Sequence, residues 1–433
     1  MTPQSPFMIL APVSPPREAE LRRLLASMND APGQARPDNP VIPFTDFETL
    51  HVARLLLVED RTVDDILVYG IPPRAYPLCL AFLGDVDGDA EAFLEEVARR
   101  APSGLRAVFS CCEGFNPGSD LVAWMGAHRV GAAAQFVNWR GRTVRRVRED
   151  AALREALRRH ARSAGAELEG RPAREAHAAL RRLASADVAA GRLALSPELP
   201  TPLGWRIRDL LHLVGVPLLL LVASPLLLVV AALFLVRLRR LEKTDPELCP
   251  RTDPAHAARL ALLEDHDVTN QFSAMGSLKP GFVRRWTTRF ALLIVDWGAR
   301  HLYTRGRLAR VRSIHFARWV FLNDRQRVVF LSNYDGSLES YMDDFINKVG
   351  FGLNLAFSNG VGYPRTSWLV KDGCADERKF KEYLRRHQVP TQVWYKAYPG
   401  LTAVDLERNG RVRKGLESGS LSEGEAQEWL SLL

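Results

Sequence analysis

Apolar and polar positions interchange over short distances along most of the chain, but no charged residue interrupts the 27 positions from Leu210 to Val236. Asp209 closes this run on one side and Arg237 on the other. At a rise of 1.5 Å per helical residue, roughly 20 apolar residues span a hydrocarbon core, so the run is long enough to cross a bilayer with tilt. Pro217 and Pro225 each remove a backbone hydrogen bond, which predicts a kinked helix or a re-entrant loop. The alternative, a core helix of a soluble protein, rarely needs so long an uncharged stretch.

A second pattern is a repeat. Leu50-His51-Val52-Ala53-Arg54 leads into Leu-Leu-Leu-Val, and 264 positions later Ile314-His315-Phe316-Ala317-Arg318 leads into Trp-Val-Phe-Leu. At an offset of 248, Asp87-Gly88 pairs with Asp335-Gly336, Gly104-Leu105 with Gly352-Leu353, and Gly114-Phe115 with Gly362-Tyr363. At an offset of 259, His128 pairs with His387, Phe136 with Tyr395, Trp139 with Tyr398 and Thr143 with Thr402. Shared order with changing offsets is how a duplicated domain diverges, through insertions in loops.

Each copy reads strand, strand, helix, strand, helix, strand. In the second copy these fall near 314–322, 327–333, 338–348, 353–358, 376–388 and 391–398. Asn323-Asp324 suits a hairpin turn and Gly350 a helix stop. Strands with all their helices on one face predict the α+β class, here as tandem duplicated ferredoxin-like domains. Their sheets would pair as a pseudo-dimeric α+β barrel, with a membrane-anchoring helical insertion between the halves.

The organisation that follows begins with an extended lead-in (1–45, with one short helix near Glu18–Met28) and a first repeat (46–160). A helical linker (161–208), the hydrophobic membrane segment (209–240) and basic amphipathic membrane-proximal helices (241–312) come next. A second repeat (313–418) and a C-terminal helix (419–433), opened by the capping-box pattern Ser422-Glu423-Gly424-Glu425, complete it. Residues 237–312 carry 15 Arg and Lys against 8 Asp and Glu, so this stretch holds seven of the chain's eight net positive charges. Within it Phe282, Trp286, Phe290, Leu293, Ile294 and Trp297 recur at helical spacing, flanked by Arg284, Arg285, Arg289 and Arg300. Such a helix suits a headgroup layer, where anionic lipid attracts it by about 1 kcal/mol per nearby cation. The alternative is a helix buried against the barrel with its arginines snorkelling outward.

Composition narrows the classes. Of 58 basic residues 50 are Arg, a bias that GC-rich codon usage produces without any functional cause. No zinc-finger spacing, RRM-type aromatic motif or basic heptad pattern accompanies it, so nucleic acid is not an expected partner. Five cysteines lack framework spacing, and Met1 to Pro12 lacks a signal-peptide pattern. Both soluble parts are therefore expected in a reducing cytoplasm, at a bacterial cytoplasmic membrane. Arg206 and Arg208 precede the apolar run, and Arg237, Arg239, Arg240 and Lys243 follow it. Orientation stays ambiguous by charge, and basic flanks on both sides fit a re-entrant or in-plane anchor.

The richest polar constellation is His315, Arg318, Asn333, Tyr334, Asp335, Asn359, Tyr363, Arg365, Trp368 and Tyr395. Aromatic residues mixed with convergent polar groups are what a small-molecule pocket needs. His315 is the candidate metal ligand, to haem iron, with Arg318 or Arg365 against a bound oxidant or a propionate. Because His51 holds the matching place in the first copy, a shared structural role is the competing reading. Asp87 and Asp335 each stand at a strand-to-helix turn, where a carboxylate accepts from first-turn amides. Glu264-Asp265-His266-Asp267 reads as a solvated helix end, and Cys111-Cys112 as buried thiols. No Walker motif, dinucleotide fingerprint, nucleophile elbow or His-Glu-x-x-His motif is present.

Gly84-Asp85-Val86-Asp87-Gly88 matches the Gly-x-x-Asp-Gly motif of dye-decolourising haem peroxidases, which are built from two ferredoxin-like halves in one chain. The chain thus distantly resembles that branch of the dimeric α+β barrel superfamily. The resemblance implies haem, Asp87 with its repeat mate Asp335 and Arg318 or Arg365 in catalysis, and His315 or His387 as proximal ligand. Tyr334, Asn359, Tyr363, Trp368 and Tyr395 would then surround the cofactor. The second-copy counterpart, Ser332-Asn333-Tyr334-Asp335-Gly336, has lost the first Gly of the motif. The second half more closely resembles an uncharacterised family of bacterial membrane-associated proteins sharing the His-Phe-Ala-Arg and Asn-Tyr-Asp-Gly-Ser stretches. Two functions are in play: a membrane-anchored, haem-binding, peroxidase-like oxidoreductase acting on a hydrophobic substrate, or a non-catalytic membrane-surface module binding a lipid-like ligand or a protein partner.

Overall fold

The computed structural model describes residues 1–59, 62–165 and 170–433, and the chain is α+β. Before the apolar run come β1 (Gln4–Pro12), β2 (Leu50–Val58), β3 (Cys79–Asp87) and β4 (Ala134–Val137). After it come β5 (Thr269–Ser277), β6 (Ile314–Leu322), β7 (Arg327–Asp335) and β8 (Thr391–Lys396). These strands form two antiparallel four-stranded sheets, ordered β1-β3-β2-β8 and β4-β6-β7-β5. Each sheet takes three strands from one half of the chain and its fourth from the other. The exchanged strand lies against β2 or β6, the two strands that begin with the His-x-Ala-Arg pattern.

Helices cover the outer faces of both sheets. α1 (Glu18–Ser27) and α2 (Ala90–Arg100) flank the first sheet, against a core that includes Phe7, Leu55, Phe82 and Tyr395. α3 (Val144–Ser163) and α4 (Ala173–Ala189) lead to α5 (Leu203–Val222) and α6 (Ser224–Thr244). The second sheet packs Phe272, Trp319 and Phe330 against α7 (Phe282–His301), α8 (Leu338–Phe357) and α9 (Glu377–His387). α10 (Ala403–Glu417) and α11 (Glu423–Leu430) join α3 and α4 in a small helical cluster around Leu153, Leu180, Val412 and Trp429. The inner faces of the sheets meet each other, Met8, Leu56 and Leu83 against Met275, Val320 and Leu331. Every residue of β2 is buried, which is why this strand reads as an unbroken Leu-Leu-Leu-Val run rather than as alternation.

Several expectations change. The expected lead-in contains β1, a sheet strand with Phe7 and Ile9 in the core. Pro6 is tolerated there because β1 is an edge strand of its sheet, whose outer side is bridged only further along, by Arg129 at Ile9. The second edge strand, β5, lies inside the stretch expected to be membrane-proximal helices. Residues 353–358, expected as a strand, continue α8, which kinks at Val349 (φ −140°) instead of stopping at Gly350. The hairpin between β6 and β7 turns through the four residues 323–326, with positive φ at Asn323 (51°), Asp324 (52°) and Arg325 (64°). The linker expected over 161–208 is helical in α4, and its residues 166–169 lie outside the described residues.

The uncharged run is broken. α5 and α6 meet at Ala223 with a bend of 76°, and among the described residues no single helix is long and apolar enough to cross a membrane. Pro217 sits within α5, while Pro225 occupies the first turn of α6, where no amide hydrogen is needed.

Candidate functional site

The repeated arginines cross between the sheets. Arg54 Nη1 donates to Phe272 O (2.9 Å) and Ser273 Oγ (3.0 Å), and its Nη2 to Ser332 O (2.5 Å). Arg318 does the reverse, donating from Nη1 to Phe7 O (2.8 Å) and from Nη2 to Gly84 O (2.9 Å). Gly84 and Ser332 are mates at the offset of 248, so the two arginines make equivalent contacts on opposite sheets. One difference stands out. Arg318 also meets Asp85 Oδ2 at 2.5 Å, whereas the mate of Asp85 is Asn333, whose buried Nδ2 has no partner. Burial, and then Arg318, push the Arg54 guanidinium down to about 9. Arg318 is fully engaged as a tie between the sheets, and the gap around it and Arg54 has no room for a water.

The repeated histidines are also engaged. His51 Nε2 lies 3.0 Å from Asp87 Oδ1, and His315 Nε2 lies 2.6 Å from Asp335 Oδ1. The other carboxylate oxygens accept from Val144 N (2.8 Å) and Ala403 N (2.6 Å). Each aspartate therefore caps the helix after the exchanged strand, α3 or α10, rather than the helix next to it in sequence. That nearer helix has its own cap: Asp89 for α2 and Ser337 for α8. Tyr398 adds a hydroxyl 3.0 Å from His51 Nδ1, completing an Asp-His-Tyr chain. Burial and then Asp87 push this phenol up, the wrong direction for an activated nucleophile. Asp87 lines an open cavity of about 320 Å³, but both of its oxygens are already taken.

The remaining predicted site residues scatter. Tyr334 stacks on Tyr341 with centroids 4.2 Å apart, and Tyr363 donates to Asn354 Oδ1 at 2.8 Å. Asn359 Oδ1 accepts from Arg284 (3.3 Å), and Arg365 donates to Asp245 O (2.7 Å). Trp368 presents a half-exposed ring while its amide donates to Glu242 (2.9 Å). Tyr395 travels with β8 into the first sheet and stacks on Phe44, far from its supposed companions. His387 Nδ1 lies 2.8 Å from Tyr383 O, beside a cavity of about 30 Å³. A small-molecule site needs about 300–1,000 Å³. With His315 buried and tied to Asp335, and no such volume beside His387, these residues do not fit haem. Glu264 to Asp267 also diverge: Glu264 pairs with Arg385, Asp265 caps α8 through Leu338 N, and Asp267 pairs with Lys396. Among the described residues no group of three or more His, Cys, Asp or Glu is placed to hold a metal. Cys111 and Cys112 are buried free thiols, and burial pushes Cys112 up to about 12.

Two polar seats that the sequence did not reveal hold the bent helix pair. At the end of α6, Asp245 accepts from Lys279 (3.0 Å) and Arg284 (2.6 Å), both buried. Burial pushes the Lys279 ammonium down to about 8. One turn earlier Glu242 accepts from Thr366 (2.9 Å) and from the amides of Trp368 (2.9 Å) and Leu369 (2.7 Å). On the α5 side, Arg300 donates to Asp209 (3.0 Å), Trp297 to Leu213 O (3.3 Å), and His212 Nδ1 lies 2.8 Å from His301 Nε2. Both legs thus rest on α7, one at each end.

Between these seats polarity is inverted. α5 buries no residue, and α6 buries only Leu238 and Glu242. Leu219 and Leu226 are each 69% exposed and Val222 73%. α7 turns Arg284, Thr288 and Leu292 inward, and Phe282, Trp286, Phe290, Leu293 and Ile294 outward. The cations Arg206, Arg208, Arg237, Arg240, Lys243, Arg285 and Arg289 are exposed around this face. No family model, no curated protein and no solved structure matches the chain.

Proposed function

We propose that this chain is a non-catalytic membrane-surface module, anchored in one leaflet of a cytoplasmic membrane and binding lipid there. The observation that carries the reading is the inverted polarity of α5, α6 and α7. A water-facing surface does not hold Leu219, Val222, Leu226, Phe282, Trp286 and Phe290 open while an arginine is buried beneath them. Contiguous exposed apolar patches beyond a few hundred Å² mark a membrane or partner surface. Basic residues on both feet fit an anchor whose ends lie on the same side. The core is read as two ferredoxin-like halves arising by duplication and closing as a pseudo-dimeric barrel. Equivalent sheet orders, the exchanged fourth strand, the crossed arginines and the twin His–Asp–helix contacts support that descent.

Cell fractionation of the full chain tests the reading. The protein should sediment with membranes and resist high salt and alkaline carbonate, and detergent should release it. Leu219→Asp combined with Leu226→Asp should move it to the soluble fraction without unfolding the sheets. Recovery of the unaltered chain as a soluble protein without detergent would overturn the proposal.

A further inference from the structure

The segment from Ile66 to Tyr76 and the loop before α7 enclose an open-sided cavity of about 250 Å³. Arg74, Lys279 and Arg285 line it together with Ile71, Tyr76 and Gln326, and among the described residues no carboxylate lines it. The wall behind is rich in cations. Lys279 and Arg284 share the carboxylate of Asp245, with buried Glu242 a more distant anion, so neither cation has a carboxylate to itself. Arg365 adds a further cation by donating to the backbone carbonyl of Asp245 at 2.7 Å. Burying incompletely paired charge is costly, and an anion on the open side of the wall would offset it. The position also points to a lipid: Gly281 and Arg285 line the cavity, while the neighbouring Phe282 and Trp286 belong to the outward apolar face.

We propose that this cavity takes the phosphate group of an anionic phospholipid, with Arg74 and Arg285 on the phosphate oxygens. Guanidinium groups suit this role because two parallel N–H donors match two phosphate oxygens. Lys279 supplies positive field from behind, and Ile71 receives the glycerol end of the lipid. The inference rests on the membrane-surface reading and specifies which lipid that surface selects.

Flotation of the full chain with vesicles separates the two. Unaltered protein should float with phosphatidylcholine vesicles, and added phosphatidic acid should strengthen that binding. Arg74→Glu combined with Arg285→Glu, both at exposed positions, should cut the phosphatidic-acid-dependent gain about tenfold or more while leaving phosphatidylcholine binding intact. Arg206→Glu combined with Arg208→Glu reverses two charges at the far foot and should lose markedly less. Equal losses in both pairs, or none in the cavity pair, would overturn the site but leave the anchor standing. Thermal stabilisation by inorganic phosphate alone, blocked by the cavity pair and unaffected by vesicles, would replace the lipid with a free phosphate. Failure of the unaltered chain to float with any vesicle would overturn the anchor and the site together.

Discussion

Asn333 occupies the place that Asp85 holds in the other half, and this single exchange leaves Arg54 buried without a carboxylate. Asn333→Asp should give Arg54 the partner that Arg318 already has and remove an unpaired amide, raising stability by about 1–3 kcal/mol at neutral pH. The new carboxylate would have its pKa lowered by Arg54, so the gain is present above the ordinary Asp range and lost as pH falls through the lowered value. Chemical unfolding of the two proteins across pH checks both magnitude and sign. The Asp245 seat gives a contrasting case. Asp245→Asn strands Lys279 and Arg284 and should cost about 3–5 kcal/mol, whereas Lys279→Met leaves the Arg284 pair and should cost about 1 kcal/mol or less. Equal losses in urea melts would contradict the shared-carboxylate account. The His-x-Ala-Arg pattern itself stands in the sequence twice, at an offset of 264. The roles of its residues were not legible. Arg318 reaches backbone carbonyls 311 and 234 positions away, and no residue type announces a carbonyl acceptor.

At the scale of elements, what the sequence disclosed depended on burial. β2, β3, β6 and β7 are central strands buried on two sides and carry strong apolar runs. β1 and β5 are edges, and each hides its character, one behind prolines and the other behind small polar residues such as Ser273 and Gln271. Those polar groups face inward and are satisfied across the gap, Thr391 donating to Gln271 Oε1 at 2.6 Å. The leg α5 is held by a contact that pH should loosen. His212 and His301 share one hydrogen bond, with Asp209, Asp296, Arg140 and Arg300 around them. Burial lowers the His301 pKa from its ordinary 6.5, with His212 and the two arginines adding to the effect and Asp209 opposing it. The folded state thus binds this proton less readily than the unfolded chain. Stability from the contact is present above pH 6.5 and is lost as pH falls through the folded value. The protection of α5 amides, corrected for the slower intrinsic exchange in acid, should therefore fall in mildly acidic buffer, and His301→Gln should abolish the fall. An α5 whose protection ignores pH would remove this contact from the seat.

For the whole molecule, the geometry of three helices sets how deep the bent pair would reach under the proposed membrane reading. The contacts His212–His301 and Phe234–Phe282 fix the feet of α5 and α6 on the two ends of α7. From each foot to Ala223 the chain runs eleven residues, about 16.5 Å of helix. A bend of 76° leaves an interior angle of 104°, so the feet should stand about 26 Å apart. The span of α7 between residues 282 and 301 is about 28 Å, so the triangle closes. Its apex then lies only about 10 Å from the line joining the two feet, less than half the thickness of a hydrocarbon core roughly 30 Å thick. An uncharged run of 27 residues read alone suggests passage through the bilayer; the break at Ala223, which composition does not mark, bends it back. Cysteines placed at Arg206 and at Lys243, one on each flank of the run, should both react with a membrane-impermeant maleimide from the cytoplasmic side of inverted vesicles. Neither should react from the opposite side in intact cells. A crossing helix demands opposite labelling at the two positions, and that result would refute the one-leaflet anchor.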